Sequence, residues 1–352
     1  MCNLPKREGP LDFVVQEFTM ERLRSASISI RILKPILVFA MFLTIFVAPL
    51  AAAQQHSGSI VTGCVVTDLP RERYQTPRPA ALVRATAEHR RDGYHENQEG
   101  ISVVAASGGT PDYHKARKLF ERAASKGYAP AQVNLAIAYF EGWGTRQNYG
   151  AALHWLTLAA SGGNARGLFD LGLLYFKGCG VRQDNAEALG LFREAAEKGD
   201  SGAQADLGYM YDHGVGVPED RAAAAAWYRK AAEAGEALAQ NNLGDMYCQG
   251  DGVPLDYAEA FHWFQKAAEQ GQTGAEIMLA HMYAQGRGAE VDLETAYAWV
   301  MAASLAGDSR GQELISSLKA RLAREEIARA EDRARKLLLA AESNPPQVAL
   351  LP

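Results

Sequence analysis

The chain is poor in cysteine, with 4 in 352 residues, and it carries no excess of positive charge. Its 36 Lys and Arg against 41 Asp and Glu leave a formal charge of −5, which argues against nucleic acid as a partner. No H-E-x-x-H or paired-cysteine motif occurs, so no metal site of known spacing is expected. Long apolar runs are also missing, with one exception near the N-terminus.

That exception is Ile36 to Ala48, preceded by Arg22, Arg24, Arg31 and Lys34 and followed by Pro49 and Ala51-Ala52-Ala53. A basic stretch, an apolar core and a small-residue site, in that order, predict a secretory signal cleaved after Ala53. The alternative is an uncleaved anchor, since Ile36 to Ala53 is just long enough to span a bilayer. Both readings place the remainder across the membrane, because no Lys or Arg occurs between Lys34 and Arg71. The lead before the apolar core is long for a signal, which makes Met20 an alternative start of synthesis.

Residues 1–53 hold six basic and four acidic side chains, so their removal leaves 36 − 6 = 30 basic against 41 − 4 = 37 acidic. A net −7 does not favour anionic lipid. Of the cysteines, Cys64, Cys179 and Cys248 would remain, an odd number that leaves at least one thiol unpaired within the chain. Val61-Thr62-Gly63-Cys64 lies too far past the apolar core to be a lipidation box.

What is abundant is glycine and alanine at fixed intervals. Leu135, Leu171, Leu207, Leu243 and Leu279 are 36 residues apart, and so are Tyr139, Tyr175, Tyr211, Tyr247 and Tyr283. The pair Gly142/Gly144 returns as Gly178/Gly180, Gly214/Gly216, Gly250/Gly252 and Gly286/Gly288. A fixed period of this length predicts a solenoid of stacked units. Each unit reads as two helices. The first, Ala129 to Glu141 in one unit, ends at the glycine pair. The second starts after an N-cap at Asn148, Asp184, Asp220, Asp256 or Asp292, with Glu187 and Glu259 placed for capping boxes. Alanines at 116, 152, 188, 224, 260 and 296 are expected to face the small slot Ala136, Gly172, Gly208, Gly244 and Ala280. Trp155, Trp227, Trp263 and Trp299 are the expected large core partners.

The strings Ala203-Gln204-Ala205-Asp206-Leu207-Gly208-Tyr209-Met210-Tyr211 and Trp227-Tyr228-Arg229-Lys230-Ala231-Ala232-Glu233-Ala234-Gly235 resemble the Sel-1-like repeat, a relative of the tetratricopeptide repeat. The resemblance implies an all-α, α/α superhelical solenoid that binds proteins or peptides, in a family whose members often carry signal sequences and work in bacterial envelopes. Some members have a cysteine pair in every repeat, which this chain lacks. The expected layout is a signal at 1–53, a linker or degenerate segment at 54–111, the array at 112–307 (a half unit and five full units), capping helices at 308–341 and a tail at 342–352. A short helix is expected from Ala80 to Arg91, and a decayed first helix from Asn97 to Gly109.

Chemistry is hard to find. The G-x-G turns follow helices rather than strands, so they do not predict a nucleotide loop. His154 and His262 share one repeat position beside the tryptophan slot. Ser316-Ser317-Leu318-Lys319 fits S-x-x-K, but no S-D-N or K-T-G follows it. Neither cofactor nor metal is expected, and no catalytic residue is assigned.

The tetratricopeptide resemblance implies which side of each first helix lines the concave surface. In the first units that side holds Val133, Ile137, Phe140, Phe169, Leu173 and Phe176, continued by Tyr209. In the last two it holds Asn241, Asp245, Gln249, His281 and Gln285. The apolar stripe is either an open groove for a peptide or helix, or a core covered by residues 80–110. The expected function is an exported, periplasmic or secreted adaptor with a protein partner in the envelope or inner membrane, restraining a signalling protein. The alternatives are an organiser of cell-envelope or polysaccharide-export machinery and, more distantly, a cell-wall or β-lactam hydrolase. No nucleic acid is expected, and membrane contact only through a partner or an uncleaved signal.

Overall fold

The computed structural model describes residues 87–105 and 111–342. The signal, its Ala53 site, the Met20 start, most of the expected linker and the tail beyond Glu342 lie outside the described residues. Within them are fourteen α-helices, one short 3₁₀ turn and no strand. We number the helices α1 (Ala87–Ala105), α2 (Tyr113–Ser125), α3 (Ala129–Glu141), α4 (Tyr149–Ser161), α5 (Ala165–Lys177), α6 (Asn185–Glu197) and α7 (Ser201–His213). Then follow α8 (Arg221–Glu233), α9 (Ala237–Gln249), α10 (Tyr257–Glu269), α11 (Thr273–Gln285), α12 (Leu293–Leu305), α13 (Gln312–Lys319) and α14 (Arg324–Glu342). Each helix packs on the next from α1 to α13, and α14 returns onto α12. This is the all-α solenoid that the period predicts.

The joints repeat because the residues that make them repeat. Gly142, Gly178, Gly214, Gly250 and Gly286 cap the first helices in the left-handed conformation. The second glycine of the pair answers to a different constraint. At Gly288 (φ +73°) a Cβ would stand 2.2 Å from the Tyr257 carbonyl oxygen, so the turn sits directly on the previous unit's second helix. Asn148, Asp184, Asp220, Asp256 and Asp292 accept from first-turn N–H groups as N-caps. The capping boxes expected at Glu187 and Glu259 are not closed reciprocally. The N–H groups of Asp184 and Asp256 donate instead to the Tyr175 and Tyr247 carbonyls, a bond that recurs at every N-cap and ties the second helix to the tyrosine slot of the first.

The small slot does not serve the helix-α4-type alanines as expected. A Cβ at Gly172, Gly208 or Gly244 would lie 2.6, 2.7 or 2.9 Å from the rings of Phe192, Tyr228 and Phe264. Where the facing residue is aliphatic, as Leu156 and Val300 are in the same register, the slot holds Ala136 and Ala280. Slot and partner therefore share one volume, and Phe120, Phe192, Tyr228 and Phe264, one position beyond the tryptophan slot, are all fully buried. Trp263 and Trp299 are buried, whereas Trp155 and Trp227 are only half-buried. Gly208→Ala is expected to destabilise by about 1–3 kcal/mol through overpacking. Pairing it with Tyr228→Leu should recover part of that loss, giving a double variant more stable in urea unfolding than the two single effects summed.

At the N-terminal end, a short helix is expected from Ala80 to Arg91 and a decayed one from Asn97 to Gly109; of these, Ala87–Ala105 form one helix, α1, and the rest lie outside the described residues. Helix α1 completes a hairpin with α2, because Gly100 occupies the small slot against the Phe120 ring. Glu99, in the leucine slot, is exposed and pairs with Lys115 at 3.1 Å. Glu96 bonds Lys126 at 2.6 Å, which lowers its pKa, and buried Asn97 accepts from Asn134. At the other end, Ala330 and Ala334 of α14 and Leu318 of α13 are fully buried, and Arg329 holds Glu294 of α12.

Candidate partner-binding surface

The first helices of successive units (α3, α5, α7, α9 and α11) carry the expected concave residues. Val133, Ile137 and Phe140 are at most 6% exposed and cluster with Leu174 and Cys179. Phe169 and Leu173 are 2% exposed and cluster with Phe192, Leu207 and Met210. Phe176 and Tyr209 are half-buried. Phe176 packs on Phe192 at 6.3 Å between ring centres, and Tyr209 stacks on His213 at 4.2 Å. The stripe thus divides into two core clusters and two side chains that offer surface.

Between them runs a carboxyl cluster that the apolar pattern does not reveal. Asp170, one residue after Phe169, is 1% exposed and accepts from Arg166 Nε at 2.9 Å through Oδ1, while Oδ2 has no hydrogen-bond partner. Arg166 lies over the Phe169 ring at 5.3 Å. Burial outweighs the arginine and pushes the Asp170 pKa up to about 6. Asp206 holds the same repeat position on α7. Burial lifts it to about 7 against the opposing pull of Lys177, whose own pKa burial lowers. Asp200 caps α7 by accepting from the Ala203 N–H, and Glu236 accepts from the Ser201 hydroxyl at 2.6 Å. The cations acting on Asp170, Asp200 and Asp206 are Arg166 and Lys177, so four carboxyls with Glu236 share two positive charges.

A second buried carboxyl lies further along, in the slot of Gln132, Gln204 and Gln240. These glutamines donate from Nε2 to the carbonyls of Ala124, Ala196 and Ala232, sealing the preceding helix end. At this position α11 has Glu276, 3% exposed, with Oε2 lacking a hydrogen-bond partner. Burial, with a smaller push from Asp308, raises its pKa to about 8, so it is protonated at neutral pH. Comparing the slot across units finds this residue; composition does not. His281, on the expected concave side, has its pKa lowered by burial.

Nothing in this arrangement assembles a nucleophile with a base. Ser316 is exposed on α13 and its hydroxyl donates to the Gln312 carbonyl. His154 and His262 lie edge-on to Trp155 and Trp263 at 5.3 and 5.1 Å. Among the described residues no group of three or more His, Cys, Asp or Glu could hold a metal ion.

A stack of equal hairpins that presents one long face from its first helices is a helical-repeat scaffold for protein–protein interaction. The chain belongs to the Sel1 repeat family, whose repeat matches residues 104–128, 129–164, 165–200, 201–236, 237–272 and 273–308. It is similar to the crystal structure of a Sel1 repeat protein from Oxalobacter formigenes, at 28% identity and TM-score 0.57, covering 70% of this chain and 96% of that one. It is also similar to c5321, a protective antigen of uropathogenic Escherichia coli with an SLR fold, at 27% identity and TM-score 0.49, covering 72% and 62%. A third likeness is to the immunity protein Pa5087 from Pseudomonas aeruginosa, at 18% identity and TM-score 0.45, covering 72% and 84%. No curated protein matches the chain.

Proposed function

We propose that the chain is an exported, periplasmic, non-catalytic adaptor that holds a segment of an envelope or inner-membrane signalling protein on its concave face and so restrains it. The observation that carries this is the meeting, on neighbouring first helices, of the half-buried aromatics Phe176 and Tyr209 with carboxyls that outnumber their cations. A segment bearing an apolar side chain beside a lysine or arginine is complementary to both. Export is supported by the apolar run Ile36 to Ala48 with its small-residue site.

The test uses the protein as bait in envelope extract, alongside a Phe176→Ser/Tyr209→Ser variant. Because both side chains are already half-buried rather than core, helicity should be retained while capture of a discrete partner falls at least tenfold. Equal capture by the folded variant would remove this face as the binding surface. β-Lactam turnover is expected to be absent, and activity lost in Ser316→Ala would overturn the adaptor reading.

A further inference from the structure

Each turn that ends a first helix rests on the start of the preceding unit's second helix, and its second glycine measures how closely. A Cβ at Gly144, Gly180, Gly252 or Gly288 would stand 2.2–2.7 Å from the nearest atom of that helix, whereas at Gly216 the distance is 3.3 Å, to Asn185. The side chains show the same difference. The residue between the two glycines meets the first residue of the preceding second helix. Trp143 stacks on Tyr113 at 5.0 Å, Asp251 pairs with Arg221 at 3.1 Å, and Arg287 lies over the Tyr257 ring at 5.3 Å. Cys179 and Tyr149 share one apolar cluster. Opposite Asn185 stands Val215, which has no polar group to offer and packs on the cluster of Leu207 and Met210. The buried Asn185 Oδ1 has no hydrogen-bond partner among the described residues.

The concave side of this same joint carries charge. Asp206 of α7 has the cations that act on it, Lys177 and Arg166, across the joint on α5, and burial holds its pKa at about 7. Asp200 from the α6–α7 link and Glu236 from the cap of α9 add like charge, and Asp170 of α5 already draws on Arg166. From the second helices, Arg193 of α6 bonds the Tyr211 hydroxyl and Arg221 of α8 bonds Asp212.

We propose that the joint between units 165–200 and 201–236 is the break point of the array, where α1–α6 and α7–α14 uncouple, and that protonation of Asp206 closes it. In a stack whose stability is a sum of unit and neighbour terms, the smallest neighbour term sets where the stack divides. A carboxyl whose pKa is raised in the folded joint binds its proton more tightly there. Division therefore becomes easier as pH climbs from the ordinary carboxylate range to about 7, and gains nothing further above it. Phe176 and Tyr209 stand on α5 and α7, on opposite sides of the joint, so a guest touching both would be held less firmly in alkali. Only this consequence rests on the adaptor reading.

The test involves no partner and uses the Glu276→Gln background, which removes the raised carboxyl of α11. Protein at one urea concentration within its unfolding transition is pulse-labelled by amide exchange and read by mass spectrometry. At pH 8 a half-protected species is expected, with its boundary between α6 and α7. Its ratio to the fully protected species should fall about tenfold or more at pH 5.5, and Asp206→Asn should reduce that change to about threefold or less. Asn185→Leu copies Leu293, the residue in the same slot of the last unit, and removes the orphaned carbonyl. It should lower the half-protected fraction severalfold at both pH values. All-or-none protection at pH 8, or a boundary between any other pair of helices, overturns the break point. A pH effect that survives Asp206→Asn overturns its control by that carboxyl, and an unchanged fraction in Asn185→Leu overturns the part given to the turn.

Discussion

Glu276→Gln is expected to stabilise the protein, and to do so increasingly as pH rises. The folded-state pKa of Glu276 is raised to about 8 by burial, far above its ordinary 4.5. A carboxyl raised on folding binds its proton more tightly in the native state, so native stability falls with pH wherever the unfolded chain has already released that proton. The penalty is absent below about pH 4.5, grows between pH 4.5 and 8, and is complete above pH 8. Glutamine carries no such penalty and can donate to the Ala268 carbonyl, as Gln204 and Gln240 do to their equivalents. At pH 8–9 the gain should be on the order of 2–4 kcal/mol, or about 5–10 °C in melting temperature, shrinking to that of the added hydrogen bond near pH 4. Thermal melts from pH 4 to 9 followed by circular dichroism check this, and a gain independent of pH would show that Glu276 ionises normally.

Phe140→Asp is expected to be the most damaging single change on the concave side. The ring is 4% exposed and lies 5.0 Å from Tyr149 in the cluster that contains Cys179. Replacing it loses the burial of a large aromatic and places a charge in an apolar cluster, for a cost of roughly 4 kcal/mol or more. In a stack whose stability is a sum of neighbour terms, the loss falls on the first units. Limited proteolysis should therefore cut within α1–α5 while α9–α14 persists. Phe176→Asp starts from a half-buried ring and should cost clearly less. If Phe140→Asp left the unfolding midpoint unchanged, the first cluster would have to be open to water.

The solenoid was legible because the residues that build it recur at every unit. Leu135 and its equivalents, the glycine turns and the N-cap aspartates each require a backbone or packing role that few residue types satisfy. The decayed first unit was harder to read, since Glu99 and Val103 occupy its leucine and tyrosine slots. Its surviving signal was Gly100, which alone lets the Phe120 ring approach. The surface was legible only in part. Apolar stripes read the same whether they are groove or core, and Val133, Ile137, Phe140, Phe169 and Leu173 proved buried. Asp170 and Asp206 carry no mark of their own in the sequence. What sets them apart is environment, created by neighbouring units, and no local pattern encodes it. Glu276 stands out only beside three glutamines in its slot.

The uninterrupted 36-residue spacing also gives the concave face a metric. Equivalent side chains such as Asp170 and Asp206 return once per unit, at intervals on the order of 10 Å if neighbouring first helices keep usual axial distances. An extended peptide advances about 3.3 Å per residue. A guest strand laid along the array would then come into step with it at every third residue, so a partner's sequence could be read as a triplet phase. Gaining or losing a whole unit would lengthen or shorten that reading frame without changing its phase.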